Sequence, residues 1–170
     1  TMKKLTLILA FIGMIGLTGC RPEEDDVDFD TISEVFEYNT NVNFTSANNY
    51  SVVLNYPHPI YSSDMVLLYR LDGTVNGQDV WKLMPQTFYF DDGTLDFRYD
   101  FNFTTTKANV FLEGFDLEGI STDFRINQII RVVIIPAYFG KSAHTKLDYS
   151  DYNDVVKEIN IDESKIKIMK

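Results

Sequence analysis

A chain of 170 residues with 45% apolar and 14% aromatic side chains is long enough for one domain plus a tail and rich enough for a packed core, which excludes global disorder. The formal net charge is −10, and residues 1–19 hold only Lys3 and Lys4 as charged groups, so the chain from Cys20 onward carries 13 basic and 25 acidic side chains, net −12. A surface that acidic repels phosphate backbones and anionic headgroups, so the expectation excludes nucleic acid as a partner and charge-driven docking on a membrane.

The first segment joins Lys3-Lys4 to the apolar run LTLILAFIGMIGL and then to small residues ending at a cysteine. A short basic region ahead of 13 mostly apolar residues has the pattern of a secretory signal peptide over residues 1–19. The run is too short to span a bilayer, which takes about 20 residues. Met2, behind Thr1, is the expected initiator. Leu17-Thr18-Gly19-Cys20 resembles the lipobox of bacterial lipoproteins. That resemblance implies cleavage between Gly19 and Cys20, a diacylglycerol thioether on the Cys20 sulfur, and an N-acyl chain on the freed amine. Two or three chains, at roughly 0.8 kcal/mol per buried methylene, hold a protein to a membrane where one chain does so only marginally. Cys20 is the sole cysteine, so no disulfide is expected and packing must hold the fold.

Residues 20–33 then turn acidic, with Glu23, Glu24, Asp25, Asp26, Asp28 and Asp30. Such a run stays solvated and reads as a tether, reaching at most about 45 Å over residues 21–33. Arg21 stands after the cysteine, so the aspartate that retains some lipoproteins at the inner membrane is absent. Glu23, Glu24, Asp25 and Asp26 resemble the acidic export signal of Bacteroidota lipoproteins, which implies the outer membrane and, beyond it, the cell surface. Asp30-Thr31-Ile32 resembles the short O-glycosylation motif of the same phylum, with Thr31 as acceptor.

From residue 34 the dominant period is two, the mark of half-buried strands. In VFEYNTNVNF the inward positions are Phe36, Tyr38, Val42 and Phe44; in YSVVLNY they are Tyr50, Val52, Leu54 and Tyr56. Asn48-Asn49 turns the first strand into the second, and YPHPIYSSD (56–64) is a proline-stiffened crossing between sheets. MVLLYRL and QIIRVVII are near-continuous apolar runs, as central strands covered on both faces require. Asp72-Gly73 and Asn76-Gly77 bracket a predicted loop. Pro85 marks an edge, bulge or break. Asp92-Gly93 is a hairpin turn before LDFRYDFNF, whose Leu95, Phe97, Tyr99, Phe101 and Phe103 point inward. Seven or eight strands at short spacing predict an antiparallel β-sandwich, immunoglobulin-like or related. Near 150–159, Tyr152, Val155, Val156 and Ile159 form one helical stripe, with Ser150 as the predicted N-cap. Ile161, Ile166 and Ile168 suggest a last strand. One β-sandwich domain with a short C-terminal helix therefore fills residues 34–170.

Chemistry is sparse. His58 and His144 are the only histidines, so a His/Cys zinc site is not expected. Asp148, Ser150, Asp151 and Asp154 offer oxygen to calcium, yet the spacing lacks the glycine and distal glutamate of an EF-hand, and a helix cap explains them. No nucleophile elbow, phosphate loop or zincin motif is present. Glu113, Asp116 and Glu118 lie in a loop rather than in a glycosidase pair. No metal, cofactor or catalytic set is predicted, and the chain is expected not to be an enzyme. Ten tyrosines, thirteen phenylalanines and Trp81 mostly fill the core, with Tyr61, Trp81, Tyr89 and Tyr138 as candidates for an exposed binding cluster.

The block from Asn48 to Phe101, NNYSVVLNYPHPIYSSDMVLLYRLDG followed by DVWKLMPQTFYFDDGTLDFRYDF, is similar to a family of small, flavobacterial-type Bacteroidota lipoproteins with one β-rich domain. Some of these carry a collagen-like Gly-Pro tract where this chain has its acidic tether. The resemblance implies an envelope location and one globular module, and it transfers no activity. Two functions follow as expectations: a non-enzymatic structural or protein-interaction module of the envelope, and alternatively a glycan-binding accessory lipoprotein. An envelope hydrolase comes third.

Overall fold

The computed structural model describes residues 32–137 and 147–170. Gly19, Cys20, Glu23, Glu24, Asp25, Asp26 and Thr31, as well as Tyr138 and His144, lie outside the described residues.

Nine strands make up the described fold: β1 (Glu34–Tyr38), β2 (Ser51–Asn55), β3 (Met65–Val75), β4 (Gln78–Leu83), β5 (Gln86–Tyr89), β6 (Leu95–Phe103), β7 (Lys107–Gly114), β8 (Ile130–Ile135) and β9 (Lys167–Met169). They form a five-stranded sheet, β4-β3-β8-β1-β9, and a four-stranded sheet, β2-β7-β6-β5. The protein is a mainly β sandwich with a short C-terminal helix, Tyr152–Glu158. Every pairing is antiparallel except that of β9, which lies parallel beside β1. The neighbours β2-β7-β6 and β4-β3-β8 match strands B-E-D and C′-C-F of an immunoglobulin variable domain. The remaining places differ, since β1 sits between β8 and β9.

The alternation in β6 reads as predicted at its centre: Phe97 and Tyr99 are 3% and 0% exposed. Leu95 and Phe103 at its ends emerge from the sandwich. Phe36, Tyr38, Val42 and Phe44 are all buried. Gly93, at φ +84°, turns β5 into β6 while Asp92 Oδ1 accepts from Thr94 N at 2.9 Å. The expected loop over 72–77 is instead a longer hairpin. β3 continues to Val75, Asn76-Gly77 forms a two-residue turn at φ +52° and +80°, and Asp72-Gly73 is a bulge in the β3–β4 ladder. A glycine inside a strand is the signature of a bulge as much as of a turn. The chain changes sheets four times: between β1 and β2, over residues 56–64, at Pro85 between the edge strands β4 and β5, where a missing N–H breaks no ladder, and between β7 and β8.

Two apolar layers result. Between the sheets lie Phe36, Phe44, Leu54, Leu68, Tyr99, Val110, Ile130 and Val132. On the outer face of the five-stranded sheet, Val35, Tyr69, Trp81, Val133 and Ile135 pack under Tyr152, Val155, Val156 and Ile159 of the helix and its end. β8 is thus covered on both faces, the reason its sequence is apolar almost throughout. The helix is capped by Asp151, whose carboxylate accepts from Asn153 N at 2.9 Å, and not by Ser150, which donates both N–H and hydroxyl to Asp148. In β9, Met169 packs on the inter-sheet core, whereas Ile168 is exposed.

Candidate functional site

An open cleft of about 850 Å³ lies between the β3–β4 hairpin and the start of the C-terminal helix, lined among others by Asn76, Gln78, Asp79, Trp81, Arg131 and Glu163. Its floor is built on Arg131, the one charge inside the apolar run of β8. Alternation turns this side chain to the outer face of the sheet, where the docked helix half covers it. Arg131 Nε donates to Glu37 Oε2 at 3.0 Å, and Nη1 donates to the Tyr152 hydroxyl at 2.7 Å and to Glu163 Oε1 at 2.8 Å. The guanidinium carbon lies 4.1 Å from the centre of the Trp81 ring, a cation–π contact. Burial works against the Arg131 charge, but Tyr152 and Glu37 outweigh it and its pKa is raised. Burial pushes the Tyr152 hydroxyl above the ordinary phenol range. The cluster is an ion-pair and aromatic network that ties the helix to the sheet, and within it the Tyr152 hydroxyl also donates to Glu163 Oε1 at 3.2 Å.

A second buried arginine, Arg70, points the other way, into the sandwich. Nε donates to Gln86 Oε1 at 2.9 Å, Nη1 to Gln128 Oε1 at 3.2 Å, and Nη2 to Asp72. Its guanidinium stands 5.0 Å over the Tyr99 ring, and the Tyr99 hydroxyl donates to the Phe124 carbonyl. Neither arginine was expected as a structural centre from sequence. The signal that marks both is a lone cation inside an otherwise apolar strand, in MVLLYRL and QIIRVVII.

The predicted residues fall as follows. Trp81 is not an exposed binding aromatic: it is 9% exposed because the helix covers it, with the Tyr152 ring 5.5 Å away. Tyr61 and Tyr89 are exposed, at 53% and 65%, but do not form one platform. Tyr89 pairs with Leu95 at one end of β6, whereas Ile60 N donates to Thr105 O beyond the other end. A nine-residue strand separates those ends by about 27 Å. His58, between its two prolines, has Nε2 2.6 Å from Glu34 Oε2, while Lys167 Nζ holds the other Glu34 oxygen at 2.8 Å. Glu113 pairs with Arg98 at 2.8 Å. Among the described residues no three metal-ligating side chains gather, and Asp148 and Asp151 serve Ser150 and the helix cap. Comparison with protein-family models, with curated proteins and with solved structures gives no match.

Proposed function

We propose that this protein is a lipid-anchored lipoprotein of the outer membrane or cell surface whose β-sandwich acts as a non-enzymatic structural or protein-interaction module. The observation that carries the proposal is the order of signals from Lys3 to Asp26: a basic start, an apolar run too short to span, Leu17-Thr18-Gly19-Cys20, then a solvated acidic stretch. The character of the domain supports it. Arg131 with Glu37 and Lys167 with Glu34 are ion pairs that join elements of the fold, and Arg70 pairs with Asp72 within β3. The test is metabolic labelling with a fatty acid in cells expressing the chain. Label should enter the parent protein and vanish in Cys20→Ala, and the purified product should lack the mass of residues 1–19. An unlabelled parent protein that retains those residues rejects the anchor. Protease treatment of intact cells should remove the domain; full protection rejects surface exposure.

A glycan-binding accessory role is the second proposal, favoured by the polar lining of the cleft. Sugars stack on an open aromatic face, and Arg131 already occupies that face of Trp81. This ranks the glycan role below a protein partner. A glycan array with no hit would remove it.

A further inference from the structure

The end of the sandwich at the β5–β6 turn carries a concentration of apolar side chains that no core contact explains. Tyr89, Phe90, Leu95 and Phe115 are 65%, 48%, 43% and 92% exposed. They are neighbours by register: Tyr89 pairs with Leu95, Phe90 N donates to Thr94 O at 2.9 Å, and Phe115 N reaches Asp96 O at 3.4 Å. Single exposed apolar residues are ordinary, but four on adjoining backbone at one tip mark a contact surface. The same turns carry Asp91, Asp92, Asp96, Asp116 and Glu118. Arg98, two ladder rows inward, is held by Glu113 at 2.8 Å, and Arg125 is turned to the Ile120 carbonyl at 2.7 Å. The tip is therefore a greasy patch within an anionic rim.

We infer that this tip is a docking surface for a protein segment that presents apolar side chains flanked by lysine or arginine. The rim repels nucleic acid and anionic lipid, and it steers a basic partner to the patch. Chain geometry agrees. β1 enters at the opposite end of the sandwich, where Glu34 meets His58 at 2.6 Å and Ile60 bonds the β6–β7 turn at Thr105. With an anchor at Cys20, the tip lies at the end of the domain remote from the tether's attachment at β1. This orientation rests on the proposed function, whereas the docking chemistry is read from the patch alone.

The experiment uses the lipid-free mature chain Cys20–Lys170, so a missing acyl group cannot decide it. Three synthetic peptides of equal length are titrated while backbone amide shifts are followed by NMR: alternating blocks of Leu and Lys, of Leu and Glu, and of Ser and Lys. The Leu/Lys peptide should bind with shifts concentrated in residues 89–96 and 113–118. The other two should bind at least tenfold more weakly, and Tyr89→Ser with Phe115→Ser should weaken the Leu/Lys peptide at least tenfold. Equal binding of the Ser/Lys peptide, shifts centred elsewhere, or no binding would each overturn the inference. The shift map on the unmutated chain decides it even if the double variant misfolds.

Discussion

Replacing Arg131 by methionine tests whether the helix is held to the sheet by a charge network or by grease alone. Methionine keeps the length and much of the apolar contact with Trp81 but removes every donor. Glu37, whose side chain is 15% exposed, loses its partner at 3.0 Å, while Glu163, at 52%, relaxes into water. Breaking a buried pair from one side costs roughly 3–5 kcal/mol, and Glu37 keeps some solvent at the cleft, so the lower end applies. Loss of the cation–π contact on Trp81 adds about 1 kcal/mol, part of which the methionine stem recovers. The expected loss is about 3 kcal/mol. With a urea slope of about 2 kcal/mol per molar, the unfolding midpoint drops by about 1.5 M. Adding Glu37→Gln removes the stranded charge and should return about 2 kcal/mol, a coupling that a double-mutant cycle reads directly. If Arg131→Met shifts stability by less than about 0.5 kcal/mol, or if Glu37→Gln gives no recovery, the network is decoration and the apolar layer beneath the helix does the holding.

Alkaline pH is a second probe, because burial pushes the Tyr38 and Tyr99 hydroxyls up to about 12. An unfolded tyrosine ionises near 10. Their contribution is therefore complete below about pH 10 and is lost between 10 and 12, where the unfolded chain releases protons first. Urea midpoints should be flat from pH 8 to 9.5 and fall by pH 11; a rise over that range contradicts the burial. At Gly114 a Cβ would meet the Asp96 carbonyl oxygen at 2.5 Å and the Phe97 Cβ at 2.9 Å, so Gly114→Ala should cost about 1–3 kcal/mol in the same assay. Val155, fully buried between helix and sheet, should lose about 2 kcal/mol on truncation to alanine, with increased amide exchange confined first to residues 152–159. Asp151→Ala removes the cap and should cost about 1 kcal/mol, whereas Ser150→Ala should cost less than half of that.

What the sequence disclosed and what it hid divide along a physical line. Alternation reports which side of a strand is wet, and so Phe97, Tyr99 and Phe36 fell where the pattern put them. The helical stripe of Tyr152, Val155, Val156 and Ile159 was legible for the same reason. Local pattern does not report what lies across the sheet. Trp81 looked like an exposed aromatic until a helix far along the chain covered it, and nothing near His58 in sequence points to its contact with Glu34. Gly73 and Ser150 were misassigned by a residue type that serves two roles: glycine permits a bulge or a turn, and adjacent Ser150 and Asp151 both suit the cap. The carboxylates of the tip were visible as punctuation in the sequence, but their assembly around Tyr89, Phe90, Leu95 and Phe115 depends on strand register.

The place of β1 between β8 and β9 has a consequence for how the molecule is made. The opening strand has no permanent neighbours until the last two strands of the chain exist, so synthesis from the amino terminus cannot lock the sandwich early. For the exported chain proposed above, that order keeps β1 unpaired until residues 130–169 have followed it.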